Sequence, residues 1–293
     1  MKKRKAFIFR RPISERRETM TGKAGTADEH QLAVALTFDF DAESYWLSVK
    51  LECPSAVSRG TYGAREGVPR ILKLLSKYNL PATFFVPGYT ADRHPDVVRS
   101  IAGAGHEIGH HGYLHEPPNL LKPEEERTML ERCIEALERV VGKKPRGFRS
   151  PSGELSKATF GLLSEYGFEY DSSQFAADRP YWIEENGVRT NLVEIPIAVE
   201  LTDSCHFMFL FQPIVLPGLS AASKVEEIWR GDFEGAYEEG GDACFILTMH
   251  PQIIGRHHRM QMVERFICYM LEHDGVWFAQ LCDIADDFRK REK

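Results

Sequence analysis

Leu32-Ala33-Val34-Ala35-Leu36-Thr37-Phe38-Asp39-Phe40-Asp41 is an apolar run that ends in two acids separated by one residue. A short apolar run of this kind predicts a buried strand. Since residues i and i+2 of a strand point to one face, Asp39 and Asp41 are expected to converge at its carboxyl end. Two carboxylates that close are costly unless a cation lies beside them. The run therefore predicts a metal or proton-transfer site.

A histidine-rich segment, Gly109 to His115, is expected to supply the other half of this site. His111 and His115 stand at i and i+4, which places both imidazoles on one helical face or folds them together around a tight turn at Gly112. Neutral imidazole suits first-row divalent metals, and two histidines with one carboxylate leave positions open for water. An open position is typical of a catalytic metal site. His110 lacks such a partner and is interpreted as an ordinary hydrogen-bonded or loop residue.

Strand-like and helix-like segments alternate along the body of the chain. The predicted strands are Leu32 to Phe40, Ala82 to Val86, Glu107 to His110, Gly147 to Ser150, Glu169 to Ser172, Leu192 to Ile197, Cys244 to His250 and Val276 to Leu281. The clearest predicted helices are Pro123 to Val141 and Arg259 to Asp274. This alternation predicts an α/β fold with seven to eight parallel strands, closed or nearly closed into a barrel, and no linker divides it into further domains.

Titratable and polar residues stand at the carboxyl ends of the predicted strands, where the catalytic residues of such folds lie. The residues concerned are Asp39, Asp41, His110, His111, Arg149, Asp171 and His250. Arg149 can hold a carboxylate bidentately and fix its aim, and Asp39 is its natural partner. His250 follows a buried apolar run and can donate a proton to a leaving nitrogen.

Composition narrows the classes of partner. The chain has 293 residues, of which 43% are hydrophobic and 27% charged, and no apolar run reaches the roughly 18 residues that span a membrane. Residues 1–30 hold nine Lys/Arg and four Asp/Glu, so this segment is +5 and the remainder of the −6 chain is −11. An acidic body does not favour nucleic acid, and neither nucleic acid nor membrane is expected as a partner.

The basic segment 1–30 is predicted to be a disordered arm, with the folded domain covering 31–293. Its apolar patch, Ala6 to Phe9, is too short for a secretory signal, and Arg10-Arg11 has no hydrophobic region behind it. Met20 is an alternative start. Six cysteines without close spacing predict free and mostly buried thiols. These features predict a cytoplasmic protein.

Five segments together resemble a known family. They are Thr37-Phe38-Asp39-Phe40-Asp41, His111-Gly112-Tyr113-Leu114-His115, Arg149-Ser150-Pro151-Ser152-Gly153, Tyr170-Asp171-Ser172-Ser173 and Leu247-Thr248-Met249-His250-Pro251. Their order resembles the five motifs of the polysaccharide deacetylase superfamily, from about Leu32 to Ile284. The chain is most similar to an intracellular branch with peptidoglycan deacetylase-like proteins, allantoinases without the usual amidohydrolase fold and cyclic imide hydrolases. The resemblance implies a single-domain distorted (β/α) barrel and a metal-dependent hydrolase of non-peptide C–N bonds.

Carried over by position, the resemblance implies one divalent metal ion held by Asp41, His111 and His115. Zinc is the first expectation, while Mn²⁺, Co²⁺ and Ni²⁺ also suit these ligands. The resemblance makes Asp39 the general base, Arg149 the group that orients it, and His250 the general acid. Phe40 separates two acids that are adjacent in the commoner family pattern, so the opposite assignment of Asp39 and Asp41 stays open.

Two substrate classes share this machinery. The first expectation is a small cyclic amide or imide, because no export signal is found and Ser152 stands where many sugar-processing members carry an aromatic residue. The alternative is removal of acetate from N-acetylated sugars of a peptidoglycan or chitin-like polymer. From other classes, two histidines and a carboxylate also describe non-haem Fe(II) oxygenases, against which Asp39 and His250 count, and an inactive binding module is the third alternative.

An aromatic segment from Phe207 to Phe211, followed by Pro213 and Pro217, is predicted either to close an apolar lid over a small substrate or to form a subunit contact. Ordinary packing beneath a long loop is the alternative. Tyr181 and Trp182 are expected at the same mouth. A homo-oligomer is the predicted state.

Overall fold

The computed structural model describes residues 25–27, 29–210 and 215–292. Its central strand, β1 (Leu32–Asp39), is buried along its whole length. Successive side chains of a strand point to opposite faces, so β1 contributes to two cores. Leu32, Val34, Leu36 and Phe38 pack towards the helices, whereas Ala33 and Ala35 belong to a second cluster inside the curled sheet. Thr37 and Asp39 continue the inner face, where the packing becomes polar.

Ten further strands follow β1 in the described residues. They are β2 (Thr83–Val86), β3 (Glu107–His110), β4 (Gly147–Phe148), β5 (Tyr170–Asp171), β6 (Tyr181–Glu185), β7 (Val188–Glu194), β8 (Phe209–Leu210), β9 (Leu216–Pro217), β10 (Cys244–Met249) and β11 (Val276–Phe278). The main sheet has the order β10-β1-β2-β3-β4-β5-β7-β6, with β11 also pairing with β1, and β8 and β9 form a separate antiparallel hairpin.

The described residues form twelve α-helices. Most of them cover the outer face of this sheet, but the last one packs Leu281, Ile284 and Phe288 into the inner cluster. In chain order, the helices are α1 (Ser44–Ser48), α2 (Pro54–Tyr62), α3 (Val68–Tyr78), α4 (Gly88–Arg93), α5 (Pro95–Gly103), α6 (Pro123–Val141), α7 (Thr159–Glu165), α8 (Asp203–Phe207), α9 (Ala222–Glu239), α10 (Pro251–Ile254), α11 (His257–Met270) and α12 (Leu281–Arg291). A π-helical turn, Gly63–Gly67, joins α2 to α3, and 3-10 turns lie at Pro118–Leu120, Pro151–Gly153 and Val199–Leu201.

The predicted fold is confirmed. Eight strands run parallel in one domain, and the sheet curls into a distorted barrel. Full closure is not observed: within the described residues no ladder joins β10 to β6, and a single parallel bridge from Thr202 to Thr248 follows the edge of β10 instead. The carboxyl ends of all parallel strands therefore meet at one end of an incomplete barrel.

Several strand bounds differ from the prediction, most of all those of the sixth predicted strand. The sixth predicted strand, Leu192 to Ile197, belongs to β7, which begins at Val188 and pairs antiparallel with β6. The turn between them uses Asn186 and Gly187, both with positive φ (51° and 75°). An Asn-Gly pair is a strong hairpin signal, because type I′ turns need two residues that tolerate positive φ.

The two clearest predicted helices differ in how well their ends were predicted. The bounds of α6 agree with the predicted Pro123 to Val141, and Gly142 ends the helix in the left-handed region at φ 72°. In contrast, α11 ends at Met270 rather than Asp274. Residues 271–275 form turns after it, and Gly275 (φ 73°) accepts the Gln31 N–H at 2.8 Å just before β11.

The structure also bears on the predictions about the N-terminal segment, the cysteines and membrane-spanning helices. The predicted arm, residues 1–30, lies outside the described residues except for 25–27, 29 and 30, so its disorder and its boundary stay predictions. All six cysteines are described and are free thiols, but only Cys133, Cys244 and Cys282 are buried. Within the described residues, no helix combines the length and the apolar character needed to cross a bilayer.

Candidate metal centre and catalytic site

The chain leaves β1 in a way that fixes Asp41 beside Asp39. Phe40 donates its N–H to the carbonyl of Phe85 at 2.8 Å, which extends the ladder by one residue beyond β1. The Asp41 carbonyl then accepts hydrogen bonds from the Thr90 hydroxyl at 2.6 Å and the Ser44 hydroxyl at 2.7 Å. The backbone at Asp41 is therefore held on both sides, and its side chain remains free to face the cavity.

Asp41, His111 and His115 form a compact cluster, with one potential ligand atom of each lying within 4.8 Å of the others. The Asp41 Oδ1 atom is 3.5 Å from Nε2 of His111 and 3.8 Å from Nε2 of His115. These distances are too long for hydrogen bonds, and Oδ1 is buried without a hydrogen-bond partner. A cation roughly 2 Å from each atom would satisfy all three, so these residues fit a metal ion.

Two histidines reach this cluster through a turn rather than a helix. Of the two predicted arrangements, the turn at Gly112 (φ 70°) is observed, and a Cβ atom there would meet Pro151 Cγ at 2.8 Å. His115 also adopts positive φ (60°). The two imidazole centroids lie 5.0 Å apart at an interplanar angle of 80°.

The state of the imidazoles also suits a metal. The Nδ1 atom of His111 lies 2.8 Å from the Arg149 carbonyl, an acceptor only, so Nδ1 carries the proton and Nε2 is left with a free lone pair. Burial lowers the pKa of His111 to about 4 and that of His115 well below its ordinary value, so both are neutral at pH 7. Burial raises the pKa of Asp41 to about 7, and a bound cation would favour its ionised form.

Asp39 is held by Arg149. Arg149 Nη1 donates to Asp39 Oδ1 at 2.9 Å and to the Thr37 hydroxyl at 2.8 Å. Nε and Nη2 donate to the carbonyl and the hydroxyl of Ser172 at 3.0 and 2.9 Å, and the guanidinium lies over the Phe85 ring. Burial alone would raise the pKa of Asp39, but Arg149 and the neighbouring imidazoles outweigh it and lower the pKa. Asp39 is therefore ionised at neutral pH, and Arg149 fixes the orientation of its carboxylate.

His250 is held by a carboxylate that sequence reasoning missed. Asp203, at the start of α8, is fully buried, and its Oδ1 lies 2.6 Å from His250 Nδ1 while its Oδ2 accepts the His250 N–H at 3.0 Å. Burial opposes protonation of His250, yet the carboxylates of Asp203, Asp41 and Asp39 raise its pKa to about 9. Its Nε2 lies 3.9 Å from Asp39 Oδ2. His250 is therefore protonated at neutral pH, and its ring faces the Asp39 carboxylate.

These groups open into a cavity of about 380 Å³. One wall is a small apolar cluster in which Trp46 of α1 packs with Met208 and Leu216 beside the β8–β9 hairpin. Arg59 fastens this hairpin by donating to the Phe209 carbonyl at 3.1 Å. The remaining apolar lining residues are Phe175, Ile197, Val199 and Ile253. The exposed wall is mostly apolar, and its charged groups are those of the site itself.

Not every predicted residue lies in the cavity. His110 is buried behind it, with Nε2 3.3 Å from the Leu130 carbonyl and Nδ1 accepting the Gly112 N–H at 3.2 Å, in agreement with its interpretation as a hydrogen-bonded residue. Asp171 was expected at the site with the other residues, but it does not line the cavity. Its carboxylate accepts the Ser173 hydroxyl at 2.7 Å, and the residue is paired in register with Glu194.

The aromatic residues predicted at the mouth also need correction. Trp182 packs against Phe288, and the Tyr181 hydroxyl donates to Gln174 Oε1, so neither lines the cavity. Phe207 is part of the main core. Phe211 and Pro213 lie outside the described residues, whereas Met208 of the same predicted segment lines the cavity together with Leu216.

Two residues of the site escaped prediction because their positions depend on the fold. Asp203 is 47 residues from its partner His250, and no local pattern joins them. Gln252, whose Nε2 donates to Asp41 Oδ2 at 3.0 Å, lies two residues after His250. Pro251 gave a local signal for the start of α10, but not for the contact with Asp41.

The chain is similar to several known proteins. A family model described as polysaccharide deacetylase matches residues 27–170. The peptidoglycan deacetylase of Helicobacter pylori is 33% identical over 285 residues, which cover 89% of this chain and 97% of that protein. A solved structure from Mycobacterium smegmatis, which bears the name polysaccharide deacetylase, is 40% identical. Its TM-score is 0.85, and the match covers 93% of this chain and 96% of that one. Puue allantoinase is 29% identical, with a TM-score of 0.76 over 89% of this chain and 91% of that one.

Proposed function

Since the chain belongs to the polysaccharide deacetylase family, a family of hydrolases, we propose that it is a metal-dependent hydrolase that opens a small cyclic amide or imide. The observation that carries this proposal is the walled, mostly apolar cavity of about 380 Å³ above the Asp41, His111 and His115 cluster. Its volume suits a small ring. The hydroxyl groups of a glycan would have as uncharged polar partners the lining side chains Tyr45, Ser150, Ser152, Thr202, Ser204, Thr248 and Gln252, beside mostly apolar exposed surface.

The residues divide the hydrolysis between them. When bound at Asp41, His111 and His115, a divalent ion supplies Lewis acidity that polarises the scissile carbonyl and lowers the pKa of water. Asp39 takes a proton from the attacking water, whose oxygen forms a bond to the carbonyl carbon, while Arg149 keeps the carboxylate aimed. As the C–N bond breaks, the leaving nitrogen receives the proton of His250. The ring opens, and the product remains one molecule.

A second candidate is supported by a separate observation. The Helicobacter pylori relative is named a peptidoglycan deacetylase, and this chain covers 97% of it. Phe175, 54% exposed at the mouth, lies against Gly153 and offers an aromatic face on which a sugar ring could stack. N-deacetylation of an N-acetylated sugar therefore stands as the alternative reaction at the same residues.

A substrate panel tests both candidates. The protein is stripped with a chelator, reloaded separately with Zn²⁺, Mn²⁺, Co²⁺ or Ni²⁺, and incubated with succinimide, hydantoin, allantoin and N-acetylglucosamine oligomers. Ring opening by the reloaded protein and none by the stripped protein is the expected result. Acetate release without ring opening would move the assignment to the deacetylase. Oxygen consumption with Fe²⁺ and a keto acid, without hydrolysis, would contradict both, and loss of all turnover would favour a binding module.

The pair of Asp203 and His250 predicts a change in pH dependence. A general acid works while protonated, so activity is expected to fall as pH rises through the pKa of His250, which lies near 9. Asp203→Asn removes the neighbouring charge and should shift this basic limb towards the ordinary histidine pKa of about 6.5. The measurement is kcat/KM from pH 5 to 10 for both proteins. An unchanged basic limb with lowered overall activity would show that Asp203 has only a structural role.

Self-association and a cytoplasmic location stay predictions. Near the β8–β9 hairpin, Phe209 is 36%, Val215 70% and Leu219 64% exposed, and these apolar side chains support a subunit contact. Analytical ultracentrifugation of the purified protein would give the oligomeric state directly.

A further inference from the structure

Thr248 lines the cavity, and its hydroxyl has no hydrogen-bond partner among the described residues. Along β10, Leu247 and Met249 pack into the helix-side core, whereas Cys244 and Ile246 belong to the cluster inside the curled sheet. By this alternation, Thr248 points inward on the same face as His250. Its side chain is 3% exposed and lines the cavity, and Oγ1 is buried without a hydrogen-bond partner. Burying a hydroxyl unpaired is unfavourable, so a ligand atom is the natural partner.

Neighbouring polar groups do not compete for this hydroxyl. The Thr37 hydroxyl donates to the Leu247 carbonyl at 2.7 Å and accepts from Arg149. The Thr202 hydroxyl, across the bridge from Thr248, donates to the Ala198 carbonyl at 3.1 Å. Of these three threonines beside the catalytic groups, Thr248 is therefore the one whose hydroxyl has no partner among the described residues.

We propose that the Thr248 hydroxyl recognises a second polar atom of the substrate ring, a carbonyl oxygen or an N–H group beyond the scissile carbonyl. This inference rests on the proposed function and narrows its substrate class to imides, hydantoins and related rings. Such rings carry a second carbonyl close to the scissile bond, whereas an acetyl group carries only a methyl group there. A buried hydroxyl discriminates strongly, because an analogue without the matching polar atom leaves it unpaired.

Binding of two rings of equal size tests the inference independently of turnover. Succinimide has two ring carbonyls and 2-pyrrolidinone has one. Calorimetric titration of the zinc-loaded Asp39→Asn protein, which is expected to hold the metal but not to open the ring at an appreciable rate, gives the dissociation constant of each, and the Thr248 variants are made in this background. Thr248→Val, which keeps the shape of the side chain, is expected to weaken succinimide binding roughly 10- to 100-fold and to leave 2-pyrrolidinone within about twofold. Thr248→Ser, which keeps a hydroxyl, should restore most of the preference.

Thr202→Val is the matched control, because it removes a hydroxyl that already has a protein partner from the same cavity. It should leave the ratio of the two dissociation constants unchanged. Equal weakening of both rings by Thr248→Val, or no preference for succinimide in the Asp39→Asn protein that keeps Thr248, would overturn the inference. Failure of the proposed function is seen separately: succinimide would then bind with the Thr248-dependent preference but remain unopened, while N-acetylglucosamine oligomers release acetate.

Discussion

Replacing His111 with alanine is expected to remove the metal ion and to lower kcat/KM by roughly 10³-fold or more. Its Nε2 lies 3.5 Å from the otherwise unpaired Asp41 Oδ1, and its Nδ1 is fixed by the Arg149 carbonyl, so this imidazole is already oriented as a ligand. Without it, one carboxylate and one histidine remain. Metal content per chain after dialysis, and kcat/KM on the substrate found in the panel, measure the two effects.

His258→Ala is the matched control, because His258 is exposed on α11 and does not line the cavity. It should keep both metal content and activity. Adding excess Zn²⁺ to the His111 variant should recover little activity, since an open ligand position changes the coordination as well as the affinity. Wild-type metal content in His111→Ala would refute the assignment of this cluster as the metal site.

Asp39→Asn is expected to retain the metal but to lower kcat by roughly 10²-fold or more. The amide keeps the shape of the carboxylate and a hydrogen-bonding oxygen for Arg149, but it cannot take a proton from water. Since Asp39 lies outside the cluster of Asp41, His111 and His115, metal affinity should change little. Metal titration and single-turnover rates separate binding from chemistry.

Asp41→Asn is the companion variant, and it decides between the two acids. Its Oδ1 faces both Nε2 atoms, so metal affinity should fall together with activity. If Asp39→Asn loses the metal while Asp41→Asn keeps it, the two roles are reversed. Arg149→Lys serves as a further check on Asp39, because a lysine cannot reproduce the four hydrogen bonds that hold the guanidinium to Asp39, Thr37 and Ser172.

The local spacing of apolar residues and the residues at helix ends predicted most of the strands and helices. An unbroken apolar run specified β1, because a strand buried on both faces needs apolar residues at every position. Glu124, Glu125 and Glu126 in the first turn, together with Gly142 at the end, specified the bounds of α6. The β6–β7 hairpin was missed although Asn186-Gly187 signals it, since the apolar pattern around it is short.

By itself, the sequence determined the α/β framework and the set of residues able to hold a metal, since strand period and residue chemistry are local properties. Only the tertiary structure decided which of these residues meet. It brought Asp203 to His250 across 47 positions, turned Asp171 towards Glu194, and set Thr248 unpaired in the cavity wall. Such contacts depend on register and on how the strands curl, and both follow from packing summed over the whole sheet rather than from any one segment.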